Sequence, residues 1–243
     1  MIYIHRSNFD HDVAVGYCWT IESGRWSYLN SFAIGRSRAC AVSMPNATYV
    51  FGGYPGENTS EILRHGSVIW EKGPNIPDGL IDGCGVKISD EELLLIGGDH
   101  TPNRIILLNT TSNEWHNTSI TLQVARNGGH RCILFNEKVY VTGGFNTESF
   151  LGTTEIIDIR SDRFTVTLGG TMNEQRQYHG IGIIDIDNVP TLVVAAGFCP
   201  HACIDSIEAW DEKVKLWKNL PNLKTPTKRR MFAFVNVPTK LAC

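Results

Sequence analysis

The sequence predicts an all-β protein with the architecture of a β-propeller, because one unit of about 45–50 residues returns along the chain. Each copy holds an apolar segment that ends in a glycine pair, and an aromatic residue follows later in the unit. No segment keeps a 3.6-residue apolar period, so few helices are expected. The repeat glycines are Gly52, Gly53, Gly97, Gly98, Gly143, Gly144 and Gly197, and the repeat aromatics are Trp26, Trp70, Trp115, Phe164 and Trp217.

Both landmarks have a physical reason in a ring of wedge-shaped sheets. The sheets converge on an axis, where a residue without Cβ lets neighbouring backbones approach and turn. The outer strands diverge, and a large aromatic side chain fills the wider gap between two sheets. Four short strands in each unit therefore form one propeller blade.

The predicted blades cover residues 36–73, 82–118, 126–168 and 176–219 of a single domain over residues 1–243. Residues 1–30 contain only the second, third and fourth strands of a blade, and residues 229–238 have the pattern of a first strand. We expect these two parts to form one split blade, because ring closure removes exposed strand edges. Five blades result, and a fragment of a six-bladed ring is the alternative.

The repeat unit resembles the kelch repeat of the BTB-kelch and kelch-like proteins. The resemblance rests on the glycine pair, the strand ending in Asp or Asn, and the following tryptophan, and it extends over nearly the whole chain. The chain departs from the pattern at Ala196, which replaces the first glycine, and at Phe164, which replaces tryptophan. The resemblance implies a propeller that binds other proteins.

Composition excludes some functions and favours a compartment. A net charge of -3 gives no reason to expect nucleic acid as a partner. No apolar run approaches the roughly 18 residues that cross a bilayer, and the N-terminus lacks the pattern of a signal peptide. Seven cysteines scattered along the chain favour a reduced, cytoplasmic protein.

Arginines near the starts of the inner strands are the candidate partner-binding residues. Equivalent positions in a propeller lie around one mouth of the central channel, where guanidinium groups would bind carboxylates. The alternative is that these arginines pair with acidic neighbours and cap loops between blades. The predicted binding set is Arg36, Arg38, Arg126, Arg131, Arg176, Tyr178, His179, Arg229 and Arg230, and His130 lies in the same stretches.

Two groups of cysteines have local interpretations. Cys40, Cys84 and Cys132 occupy nearly the same place in three inner strands, which indicates a shared packing role, with a metal or redox site as the alternative. Cys199, His201 and Cys203 lie together in one loop. They supply too few ligands for a structural zinc site, and we expect no metal there, with a small disulfide as the other special role.

Four sequons for N-glycosylation, at Asn46, Asn58, Asn109 and Asn117, favour a secreted protein or an ectodomain. About two sequons would arise by chance in a chain with this much Asn and Thr. The cytoplasmic interpretation is therefore kept as the first expectation, and a glycosylated ectodomain that binds partners is the alternative.

The expected function is a non-enzymatic module that binds a protein partner or an acidic peptide segment at one mouth of the propeller. The resemblance implies a more specific role as a substrate adaptor of a ubiquitin ligase. Some propellers that resemble kelch proteins are enzymes, including sugar mutarotases and metal-dependent oxidases, and this is the alternative. The sequence assembles no catalytic triad, carboxylate pair or metal-ligand pattern, so no catalytic residue and no cofactor are predicted.

Overall fold

The computed structural model describes residues 2–5, 16–20, 25–160, 163–199 and 202–228. These residues form strands, turns and bends, with no helix among them. Within those ranges there is accordingly no helix with the length and apolarity of a membrane span. The prediction of an all-β protein is confirmed.

The strands form one three-stranded sheet followed by four four-stranded antiparallel sheets. The N-terminal sheet contains β1 (Ile2–His5), β2 (Gly16–Thr20) and β3 (Arg25–Leu29). The first blade contains β4 (Cys40–Ser43), β5 (Ala47–Phe51), β6 (Ser60–Arg64) and β7 (Trp70–Lys72). The second contains β8 (Cys84–Lys87), β9 (Glu92–Ile96), β10 (Arg104–Asn109) and β11 (Glu114–Thr121). The third contains β12 (Arg131–Phe135), β13 (Lys138–Thr142), β14 (Thr154–Asp158) and β15 (Thr165–Leu168). The fourth contains β16 (Gly180–Ile186), β17 (Val189–Ala195), β18 (Ser206–Asp211) and β19 (Leu216–Lys224).

The blades gather side by side around an axis, as a propeller requires. Each blade is a meander in which consecutive strands pair. Their innermost strands contact one another in chain order, β4 against β8, β8 against β12, and β12 against β16. All five residues of β5 are buried, because neighbouring sheets cover both faces of such a strand.

The glycine pairs join each blade to the next through the backbone. The N–H of the second glycine donates to a carbonyl at the start of the following blade, at 2.8–3.0 Å. The bonds run from Gly53 to Leu80, from Gly98 to Arg126 and from Gly144 to Arg176. The first glycine of each pair is left-handed, with φ between 58° and 63°, and Ala196 adopts 57° at the same position.

The repeat aromatics fill the spaces between blades. The Trp115 ring of the second blade lies edge-on to Phe51 of the first, with ring centroids 5.9 Å apart. Trp217 of the fourth blade donates from Nε1 to the Thr154 hydroxyl of the third at 2.8 Å. Phe164 packs against a cluster that includes second-blade residues, and Trp70 packs against Phe32. The Trp26 side chain lies outside the described part of the structure.

The N-terminal sheet has the three strands that the split blade requires. Its strand order, β1-β2-β3, matches the second to fourth strands of a blade. Residues 229–238, the predicted first strand, lie outside the described residues. Closure into five blades therefore stays a prediction.

Candidate functional site

Three blades share a buried ion pair between an arginine before the inner strand and a glutamate in the third strand. In the third blade, Arg126 donates from Nη2 to Glu155 at 3.0 Å and from Nη1 to the Gly143 carbonyl at 2.5 Å. Both side chains of the pair are fully buried. The equivalent pairs are Arg36–Glu61 at 2.7 Å and Arg176–Glu208 at 2.5 Å.

Each of these carboxylates also fastens the loop that enters its blade. The backbone N–H groups three and two residues before each arginine donate to the glutamate. Ala33 and Ile34 donate to Glu61, Gln123 and Val124 to Glu155, and Asn173 and Glu174 to Glu208. These charge-assisted bonds help to offset the cost of burying the ions.

The second blade replaces this ion pair with two apolar side chains. Leu80 stands at the position of the arginine in the backbone bonds that join the blades. Ile106 stands opposite Leu95, the register position that the glutamates take in the other three blades. Both residues lie in one hydrophobic cluster. The same fold therefore accommodates either chemistry at this place.

The prediction that Arg36, Arg126 and Arg176 contact a partner is wrong, because all three are 0% exposed. The alternative interpretation, pairing with acidic neighbours and fastening of loops, is confirmed for them. His179 is also wrong as a binding residue, since it is fully buried and its Nε2 lies 2.9 Å from the Thr142 hydroxyl. His130 is buried in the same way, with Nε2 at 2.9 Å from the Ile96 carbonyl.

The two buried histidines make stability depend on pH. Burial lowers the pKa of His130 to about 3 and the pKa of His179 well below its usual value. The unfolded chain binds these protons near pH 6.5, whereas the folded chain does not. Stability should therefore be fully present above pH 6.5 and fall as the pH drops toward 3.

Replacing His130 by glutamine should remove one such group from the titration. Between pH 7.5 and pH 5.0, the free energy of unfolding of the wild type should fall by about 2 kcal/mol more than that of His130→Gln. Urea unfolding at the two pH values measures this difference. His116→Gln, at an exposed position, should behave like the wild type. An equal fall for His130→Gln and the wild type would contradict the assignment.

Four residues, one from each of the four blades, meet at the axial mouth, which we define as Arg38, Asp82, Arg131 and Tyr178. The Asp82 carboxylate accepts bonds from Arg38 Nε at 2.8 Å and from the Tyr178 hydroxyl at 2.6 Å. Arg38, Asp82 and Tyr178 are left-handed, with φ of 59°, 58° and 51°. Non-glycine residues rarely adopt this conformation, and it is enriched at functional sites.

Arg131 adds a second positive charge to the axial mouth. Its guanidinium lies over the Tyr178 ring, 5.9 Å from the centroid, and Nη1 donates to the His130 carbonyl at 3.1 Å. The residue is partly exposed. Among the described residues, Arg38 forms an ion pair with Asp82 but Arg131 forms none within 4.0 Å. Arg131 is therefore the charged group of the axial mouth that lacks a direct ion pair, although the Asp82 carboxylate also acts on it electrostatically.

Burial and the Asp82 charge shift the pKa values of two groups in the axial mouth. Burial, with the hydrogen bond to Asp82, raises the pKa of Tyr178 above its usual value. Burial lowers the pKa of Arg131, and the charge of Asp82 acts in the opposite sense. At neutral pH the tyrosine is protonated and the two guanidinium groups are charged, so the site presents fixed donors.

Sequence reasoning missed an aromatic rim around this site. In three of the four blades, the residue after the last repeat glycine bridges to the segment before the inner strand: Tyr54 to Ser37, Phe145 to Gly128 and Phe198 to Gln177. Phe145 contacts Tyr178, with ring centroids 6.4 Å apart, and Tyr54 is 57% exposed. The signal in the sequence is an aromatic directly after the glycine pair in three of four units.

A disulfide joins two inner strands next to the axial mouth. Cys84 of β8 and Cys132 of β12 are bonded, with Cα atoms 6.1 Å apart. Cys40 of β4 is a buried thiol in the apolar core, and burial raises its pKa to about 12. The predicted packing role thus holds for Cys40, and it holds for Cys84 and Cys132 as members of a second hydrophobic cluster, where the disulfide joins them in addition.

The remaining candidates from the sequence are either partly buried thiols or residues outside the described ranges. Cys199 and Cys203 are partly buried free thiols, and His201 lies outside the described residues. Arg229 and Arg230 also lie outside them. Of the predicted binding set, the structure therefore brings together Arg38, Arg131 and Tyr178.

Comparisons with known proteins agree with this architecture. Residues 126–167, which contain β12, β13, β14 and most of β15, match the family model of the Kelch motif. The solved structure titled "Structure of YjhT" superposes with a TM-score of 0.75 at 12% identity, covering 91% of this chain and 81% of that chain. Likeness at this identity establishes the fold alone. No curated protein matches the chain in sequence.

Proposed function

We propose that this chain, a β-propeller that carries a Kelch motif, binds another protein at its axial mouth. The observation that carries the proposal is the Arg131 guanidinium, partly exposed beside Tyr178 and without an ion pair among the described residues. An acidic segment of the partner fits this charge, because a planar guanidinium binds carboxylates with two parallel hydrogen bonds. The aromatic rim supplies apolar contact area around the charged centre.

The geometry favours binding over catalysis. A general acid or base works best with a pKa near the operating pH. Burial and the hydrogen bond to Asp82 raise the pKa of Tyr178, so the phenol holds its proton at neutral pH. A guanidinium such as that of Arg131 stays charged there, and His130, with a pKa of about 3, stays neutral. Fixed charges and rigid aromatic groups are the usual components of a recognition surface.

Substitution of either partly exposed arginine of the axial mouth should weaken binding of the partner. Arg131→Gln and Arg38→Gln should each weaken binding by about 10- to 100-fold, the cost of a lost hydrogen bond between charged groups. Immobilised full-length chain would be exposed to extracts of the cells that produce it, and bound proteins would be quantified by mass spectrometry. Thermal unfolding of each variant would verify folding.

The matched control is Arg64→Gln. Arg64 is 56% exposed and lies at the end of β6 away from the glycine pair. Proteins that bind the wild type and Arg64→Gln, but not Arg131→Gln or Arg38→Gln, would support the proposal. Equal capture by all four chains would show that the partner binds elsewhere.

Such a module fits two settings. An adaptor of a ubiquitin ligase would work in the reducing cytoplasm, together with a further domain. An ectodomain would work outside the cell. The Cys84–Cys132 disulfide favours the second setting, because structural disulfides are rare in cytosolic proteins.

A further inference from the structure

Three of the four sequon asparagines are exposed, and none of the four belongs to the residues that define the axial mouth. Asn46 lies in the turn between β4 and β5, and Asn58 lies in the loop between β5 and β6. Asn117 lies within β11, beside its irregular pairing with β10. All three are exposed, whereas Asn109, at the end of β10, is partly buried.

The side-chain amide nitrogens of the three exposed sequon asparagines donate no hydrogen bond among the described residues. Within the described ranges, Nδ2 of Asn46, Asn58 and Asn117 makes no hydrogen bond, and Asn117 uses only Oδ1, which accepts from the Ser119 N–H. Three asparagines outside the sequons, Asn103, Asn127 and Asn173, do donate from Nδ2 to a partner, at 2.7–3.2 Å. A covalent bond at the sequon nitrogens would therefore disrupt no contact.

The disulfide between Cys84 and Cys132 is an independent sign of the same environment. It links the inner strands of two neighbouring blades, and such a bond persists where no glutathione or thioredoxin system reduces it. The compartment in which disulfides form on newly made chains, the endoplasmic reticulum, is also where asparagine in Asn-x-Ser/Thr is glycosylated.

From these two observations we infer that the chain folds in the oxidising secretory pathway and carries N-linked glycans at Asn46, Asn58 and Asn117. Each Nδ2 bonds to the anomeric carbon of an oligosaccharide, loses one proton and displaces the lipid diphosphate that carried the sugar. Cys84 and Cys132 give up two protons and two electrons to a protein disulfide, which is reduced to a dithiol. Asn109 stays unmodified, because its side chain is partly buried whereas the other three are exposed.

Two of the three proposed glycans lie away from the axial mouth. β5 runs from Ala47 to Phe51 toward the glycine pair, so Asn46 lies at the end of the strand opposite the mouth. Asn117 lies on the outermost strand of the second blade. Asn58 alone lies in a loop on the mouth side. The inference is independent of the proposed partner binding.

The test begins with the endogenous protein in the cells that produce it. Treatment with an N-glycosidase should lower its mass by three glycans, and labelling of thiols before and after reduction should show Cys84 and Cys132 as labelled only after reduction. Glycosidase resistance, or labelling of the two cysteines without reduction, would overturn the inference.

Site assignment uses the full chain, directed into the secretory pathway of cultured animal cells by an added signal peptide. Asn46→Gln, Asn58→Gln and Asn117→Gln should each lose one glycan, and Asn109→Gln should lose none. Thr48 is the third residue of the Asn46 sequon, so the matched Thr48→Ala variant should also lose the glycan at Asn46. Thr48 is buried and its hydroxyl makes no hydrogen bond among the described residues, so this variant removes the sequon without breaking a hydrogen bond. A glycan at Asn109, or none at the three exposed sites, would refute the assignment.

Discussion

Arg126→Leu should lower the free energy of unfolding by about 3–5 kcal/mol, the range for removal of one partner from a buried ion pair. The substitution leaves Glu155 charged, fully buried and without its guanidinium partner. It also leaves the Gly143 carbonyl without the Nη1 donor. Urea unfolding monitored by tryptophan fluorescence measures the loss, and Glu155→Ile should cost a similar amount because it strands the arginine.

The double variant Arg126→Leu/Glu155→Ile should recover at least half of the loss of either single variant. This pair reproduces the natural arrangement of the second blade, where Leu80 and Ile106 lie in one apolar cluster. Replacing a buried ion pair by apolar side chains is often neutral. Recovery stays incomplete, because the Gln123 N–H loses its acceptor, whereas the second blade has Pro77, without an N–H, three residues before Leu80.

An exposed ion pair supplies the control for these variants. Arg64 and Glu71 are 56% and 49% exposed, and Arg64→Leu should cost less than about 1 kcal/mol. If the losses of the two single variants simply added in the double variant, the coupling between Arg126 and Glu155 would be absent and the explanation would fail.

Gly143→Ala should destabilise the protein by about 3 kcal/mol or more. The residue is left-handed, with φ of 58°, which costs an alanine about 1–2 kcal/mol. A methyl group there would also overlap the Arg176 carbonyl oxygen and the His179 ring. Crowding of this kind adds about 1–3 kcal/mol, because the backbone of the next blade must move.

The reverse substitution at the equivalent position of the fourth blade is the control. Ala196 already carries the methyl group at φ of 57°, so Ala196→Gly should change the free energy of unfolding by less than about 1 kcal/mol. Thermal and urea unfolding of the two variants give the comparison. A Gly143→Ala protein as stable as the wild type would contradict the close approach of the third and fourth blades.

The sequence predicted the fold because its evidence is local and repeated. A glycine pair and an aromatic each depend on the backbone path of one unit, and the path recurs four times. The side-chain partners within the blades and at the axial mouth are distant in sequence. Glu155 lies 29 residues after Arg126, and Tyr178 lies 96 residues after Asp82. Arg126 and Arg131 both lie near the start of the same inner strand in the sequence. In the structure, Arg126 pairs with Glu155 inside its blade, whereas Arg131 lies over Tyr178 at the axial mouth. A glutamate in the third strand of three units was the overlooked signal for the buried set.

The polar bonds of Arg126 have a consequence for how such rings change in evolution. The side-chain partners of Arg126, from the Gly143 carbonyl to Glu155, and the loop nitrogens that Glu155 binds, all fall between residues 123 and 155. A gene segment encoding this stretch with the rest of its blade carries a complete, charge-balanced set. Duplication or deletion of that segment adds or removes a blade without leaving a buried charge unpaired. The number of blades can therefore change during evolution while the buried charges within each blade stay balanced.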